Sequence, residues 1–152
     1  MPGLDQTLRA LAAETADAAA EDYAALRFHK ALARILALSS AGNLRMQQAE
    51  PWVGIKSDDP AEARAAREVL VECLETIRIC AVLLLPVTPA LGRRILLQLG
   101  LSEEAADAVT WADAAWGGLR AGAAFPKPKP VFARLDGDFV TEAAGEAAAA
   151  AP

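Results

Sequence analysis

Histidine occurs once in this 152-residue chain and cysteine twice, and aromatic residues make up only 5% of it. That scarcity excludes whole classes of chemistry. A structural zinc site takes about four Cys or His ligands, and His29, Cys73 and Cys80 are too few. The two cysteines fall seven apart on one helical stripe, about 10 Å, which is beyond disulfide reach. They are expected as small buried apolar residues in a reducing compartment. Long apolar runs are also lacking. "ICAVLLLPV" at 79–87 falls far below the ~20 residues that a bilayer span needs. The opening "MPGLDQTLRA" has no secretory core, so the expectation is a soluble cytosolic chain with no membrane partner. No Gly-rich phosphate loop or nucleophile elbow is present. His29, in "RFHKAL", reads as an ordinary helix residue, Ser39-Ser40 have no basic partner nearby, and capping explains Asp58-Asp59. The expectation is no catalytic residue, no metal and no cofactor in this chain.

Alanine, leucine, valine and isoleucine supply most of the 54% hydrophobic content, with few β-branched runs, which points to packed helices rather than a sheet. The periodicity places a first helix over 4–24 with a thin stripe of Leu4, Leu8 and Leu11. A second begins near Leu26 and carries Phe28, Leu32, Ile35, Ser39, Gly42 and Met46 along one side. Ser39 to Gly42 are small, which suggests a close crossing with a neighbour. This helix ends at Glu50, because a residue before proline is pushed out of the α region. Asp59-Pro60 restarts the chain as cap and first helical residue. The third helix repeats Ala66, Leu70, Cys73, Ile77, Cys80, Ala81 and Leu84, and its last turn is apolar on every side, so it should be central. A fourth follows Thr88-Pro89, burying Leu91, Ile95 and Leu99 and stopping at Gly100. Ser102 opens a short acidic turn or helix. "AAFPKPKPVFARLD" reads as extended chain over the bundle, and the final "EAAGEAAAAAP" as low complexity. The predicted fold is all-α: an antiparallel bundle of about four main helices with an extended C-terminal strap. Residues 1–136 would form the domain and 137–152 an Ala-rich disordered tail.

The net charge of -5 is unevenly spread. Residues 1–25 and 68–152 each carry a net of -4, whereas 26–67 carry +3. That basic segment contains "NLRMQQAEPWVGIKSDDP" at 43–60, where a tryptophan stands at a helix end. Trp52 there can be a core plug or a stacking platform for an unstacked base, the latter worth about 1–3 kcal/mol per base. Asn43 could read a base edge, while Arg45 and Lys56 could hold phosphates.

The same segment resembles the signature of the anticodon-binding helical domain of methionyl-tRNA synthetase, in which an Asn-containing helix end runs into Pro-Trp, then a lysine and an "xDP" restart. "LETIRICAVLLLPVTPALGRRILLQLGL" resembles that family's core helix and Pro-x-x-Pro break, and "FPKPKPVFARLD" its closing segment. The likeness spans residues 26–136. It implies that Trp52 stacks on the first anticodon base of methionine tRNA, that Pro51 aims it, and that Asn43 and Lys56 line the anticodon face. Arg78 matches a structural arginine of the core helix. The resemblance also implies protein biosynthesis as the setting and ATP as the cofactor of a complete ligase, in a catalytic domain that this chain lacks.

Departures from the pattern shape the expectation. Glu50 stands where the family commonly has alanine, and the family usually has an aromatic after an Asn-basic pair where this chain reads Asn43-Leu44-Arg45. The chain starts at the domain's second helix, so it is expected to be a fragment, split subunit or truncated paralogue. A groove left by the preceding helix would then be covered by a catalytic synthetase domain or by a second copy. Two other readings stand beside it: a helical protein-interaction module without RNA binding, and the related helical domains of the leucine, isoleucine, valine and cysteine enzymes, against which Pro-Trp and the Lys-Pro strap argue.

Overall fold

The computed structural model describes residues 4–119, 122 and 124–132, and among them all regular structure is helical. Four long helices dominate: α1 (Leu4–Ala24), α2 (Phe28–Ala49), α4 (Pro60–Leu84) and α5 (Pro89–Gln98). Three short turns join or follow them: α3 (Pro51–Gly54), α6 (Glu103–Asp107) and a 3₁₀ turn at Trp111–Ala114. The Ala-rich tail at 137–152 lies outside the described residues.

Local chemistry accounts for the helix ends. Asp59 accepts a hydrogen bond from the Ala61 N–H at 2.9 Å with Pro60 in the first turn, the expected restart. Ser102 caps α6 through the Ala105 N–H, and Gly100, at φ +87°, follows α5 as its stop. One boundary moves. α2 begins at Phe28 rather than Leu26, because Leu26 takes φ +57° in the turn and leaves its side chain in solvent.

α2 and α4 run antiparallel, as the pairing of Ile35 with Cys80, Gly42 with Thr76 and Arg45 with Glu72 shows. The core stripe of α2 is Ala31, Ile35, Leu38 and Gly42. Phe28 and Ser39, expected inside, are exposed. Ile77 is likewise 42% exposed rather than core. α4 is the central helix: every residue from Arg78 to Leu83 is buried. On α5 the innermost residue is Leu96, which the sequence did not single out, beside the expected Leu99.

The close crossing occurs at Gly42. A Cβ there would stand 3.1 Å from Thr76 Cγ2, so only a glycine lets the helices meet without displacement. The Cys73 thiol donates to the Gly42 carbonyl at 3.6 Å and the Cys80 thiol to that of Ile35 at 3.7 Å. Burial pushes the Cys80 thiol up to about 12, and it raises Cys73 too, with Glu72 adding to that rise, so both stay protonated and inert. Gly42→Leu is expected to cost about 1–3 kcal/mol by overpacking, measured as a lower urea midpoint at unchanged slope.

Two polar clusters tie the helices together. Asp22, buried at the end of α1, accepts the Nε–H of Arg34 and of Arg27, each at 2.8 Å, and these bonds hold its carboxyl below the ordinary range. Glu75, on α4, accepts two bonds from Arg78, at 2.7 and 3.0 Å. It also accepts the backbone N–H groups of Gly117, Gly118 and Leu119 at 2.6, 2.8 and 3.1 Å. Arg78 reaches on to the carbonyls of Asp113 and Ala115. Arg78 is therefore structural. The expected strap is seen as far as it is described: Gln98 exchanges two hydrogen bonds with the Lys129 backbone, and Arg94 donates to the Val131 carbonyl, across α5.

Candidate nucleic-acid interface

The end of α2 fixes the geometry around the tryptophan. Glu50 precedes a proline and cannot extend the helix, and it takes a left-handed conformation, φ 42° and ψ 53°. Its N–H still closes on Met46 O at 3.1 Å, so the chain turns sharply without losing that bond. Pro51 then opens α3, and Val53 N–H returns to Glu50 O at 2.9 Å. Residues 51–54 thus form one helical turn between the two long helices.

A single turn has an inner and an outer side. Pro51 and Gly54, three apart, face the bundle, and Pro51 is fully buried. Trp52 and Val53 face outward at 50% and 61% exposure, and Ile55 beyond them at 39%. The indole is therefore not enclosed in the core. Lys56 is exposed immediately after the turn. Ser57 and Asp59 close the link to α4, with Ser57 Oγ donating to Glu62 at 2.6 Å.

The other residues of interest are placed less closely. Asn43 is exposed on α2, about 10 Å along the axis from the α2–α3 junction. It lines a cleft of about 350 Å³ with Ser39, Met46, Thr76 and Ile77, a cleft to which Trp52 does not contribute. Arg45 lies two residues on, hence nearly opposite Asn43 around the helix. Its Nε–H donates to Glu72 at 3.1 Å, and both side chains are largely buried. The structure does not bring Arg45 and Asn43 to one flank.

That ion pair bears on the charge of the site. Of the seven basic residues in 26–67, Arg27, Arg34, Arg45 and Arg64 are ion-paired. Lys30, Lys56 and Arg67 form no ion pair among the described residues. Glu72 was missed in the sequence, where it reads as one more surface acid; Gly54 was missed too, although a glycine directly after Pro-Trp-Val was its signal. No group of Cys, His, Asp or Glu suited to a metal occurs among the described residues, and no helix there is long and apolar enough to cross a membrane.

Comparison with known proteins places these features in a family. The family model described as the anticodon binding domain of methionyl tRNA ligase matches residues 3–149. The chain is 37% identical over 115 residues to the chloroplastic/mitochondrial methionine–tRNA ligase of Arabidopsis thaliana, covering 76% of this chain and 18% of that protein. It is 33% identical over 137 residues to the methionine–tRNA ligase of Bacillus subtilis, covering 88% and 20%. Among solved structures, the apo methionyl-tRNA synthetase of Mycobacterium tuberculosis superposes with a TM-score of 0.78 at 30% identity, covering 90% of this chain and 27% of that one. The chain thus spans about a fifth to a quarter of the length of these relatives.

Proposed function

The chain belongs to the family of anticodon-binding domains of methionyl-tRNA ligase, and from that premise we propose that it reads the anticodon loop of a methionine tRNA for such a ligase. The observation that carries this reading is the half-exposed Trp52 on a turn whose Pro51 is buried in the bundle. A base freed from its stack lies against that face, stabilised by stacking without regard to its hydrogen-bonding edge. Pro51 fixes the direction of the indole, Asn43 supplies an amide for a base edge, and Lys56 pairs with a backbone phosphate. Arg45 takes part through the ion pair with Glu72 that holds α2 against α4 beneath the site. Methionine activation and its ATP belong to the catalytic portion of the ligase, and no residue described here is assigned to them. Two free, buried cysteines fit a reducing compartment such as the cytoplasm.

The test of recognition is fluorescence anisotropy with a labelled CAU anticodon stem-loop and one altered at its first anticodon base. The CAU loop should bind more tightly, and its log affinity should fall with log salt at a slope of about -0.7 per phosphate contacted. With Lys56 as the main unpaired cation beside the indole, a slope of about -0.7 is expected. Equal binding of both loops at every salt concentration would overturn the assignment.

A further inference from the structure

α3 is four residues long, with Pro51 and Gly54 as its inner pair. A Cβ built on Gly54 would lie 2.9 Å from the Cβ of Ala66 on α4 and 3.5 Å from the Glu62 carbonyl oxygen. The backbone of α3 thus rests directly on α4 at this end, with no side chain between them. Ala66 is itself buried and has only its Cβ to offer, so it cannot rotate out of the way. Gly54 is not among the residues with positive φ, so clearance rather than backbone conformation requires a glycine. The other end of the turn is held by the left-handed Glu50 and the buried Pro51.

We propose that Gly54 is a positioning residue for base stacking: by letting α3 lie flush on α4 it sets the angle at which Trp52 meets the anticodon loop. This rests on the anticodon reading above. A methyl group at position 54 must lift that end of α3 by about 1 Å to reach ordinary carbon contact. Because the turn is pinned at Pro51, the lift becomes a tilt, and the tilt swings Trp52 and Val53. Base stacking needs the ring face presented to the base, and a swing of the turn moves that face.

The experiment uses the chain labelled with 5-fluorotryptophan, whose Trp52 resonance is assigned with Trp52→Phe. Gly54→Ala should shift the Trp52 resonance, leave those of Trp111 and Trp116 in place, and weaken CAU stem-loop binding at least tenfold. Ala66→Gly removes the opposing methyl group, so the double variant Gly54→Ala/Ala66→Gly should recover both the resonance position and most of the affinity. A Trp52 resonance unmoved in Gly54→Ala, or moved but not restored by Ala66→Gly, overturns the proposal. If the unmodified chain ignores the anticodon, the stacking reading fails, while the resonances still decide whether Gly54 orients the indole. If Gly54→Ala alone does not fold, recovery of fold and resonance in the double variant supports the clearance argument and continued unfolding overturns it.

Discussion

Replacing Glu75 with alanine is expected to remove about 3–5 kcal/mol of stability, a large share of the 5–15 kcal/mol typical of a domain. The size follows from what the carboxylate holds. Glu75 and Arg78 are 2% and 4% exposed, and the glutamate is the arginine's charge partner in the interior. Its loss leaves a buried guanidinium with only carbonyl acceptors, and it also strands the N–H groups of Gly117, Gly118 and Leu119. Because those groups belong to the segment after the 3₁₀ turn, that segment should detach first. Urea unfolding gives the stability, and near-ultraviolet circular dichroism of Trp116 reports the detachment. Glu75→Gln should cost less, since it keeps the volume and one acceptor. A loss below about 1 kcal/mol for the alanine variant would show that the cluster contributes little to stability.

The same cluster fixes how stability depends on acid. Burial by itself raises the Glu75 pKa, but the Arg78 side chain and the N–H groups of Gly118 and Gly117 outweigh it, and the net shift is downward. A carboxylate whose folded pKa lies below its unfolded one gives its full stabilisation above the unfolded value. It loses that contribution as pH falls through the folded value. Acid unfolding of this bundle should therefore begin below a pH of about 4, and the Glu75→Gln variant should lose part of that dependence.

Most of the fold was legible because proline, glycine and capping residues mark helix ends by local rules. Asp59-Pro60, Thr88-Pro89, Gly100 and Ser102 all lie at the boundaries they signalled. What failed were questions that local rules do not reach. Phe28 and Ile77 looked like core because they are large and in phase, but the angle at which α2 crosses α4 decides which in-phase residues meet. The Glu75 cluster was illegible for a related reason. An acid three residues before an arginine on a helix normally marks a solvated face, and only backbone N–H groups from 42 to 44 residues away convert it into a buried site. α3 escaped because four residues are too few for periodicity to register. Within the candidate interface, an outward Trp52 was one of two readings open from sequence, and the residue is 50% exposed. The Arg45–Glu72 pair was not foreseeable, because nothing in the sequence sets one surface acid of α4 apart from the others.

Trp52→Ala should weaken binding of the CAU anticodon loop by about 10- to 100-fold, the equivalent of one lost base stack, while the melting temperature moves by no more than about 2 °C. The two halves of this expectation have separate physical sources. Trp52 is half open to water, so its removal leaves no enclosed cavity, unlike truncation of Leu38 or Leu83 in the core. The anchor of α3 is Pro51, with Gly54 resting on Ala66, and neither contact involves the indole. The loss of affinity should appear at every salt concentration with an unchanged slope, because stacking releases no counterions. Lys56→Ala should do the reverse, flattening the salt slope with little effect on the preference for CAU. Trp52→Phe, which keeps an aromatic face of smaller area, should fall between the parent chain and the alanine variant. Should Trp52→Ala instead lower the melting temperature by ten degrees or more, the indole would be supporting the turn rather than a base, and the stacking assignment would fall with it.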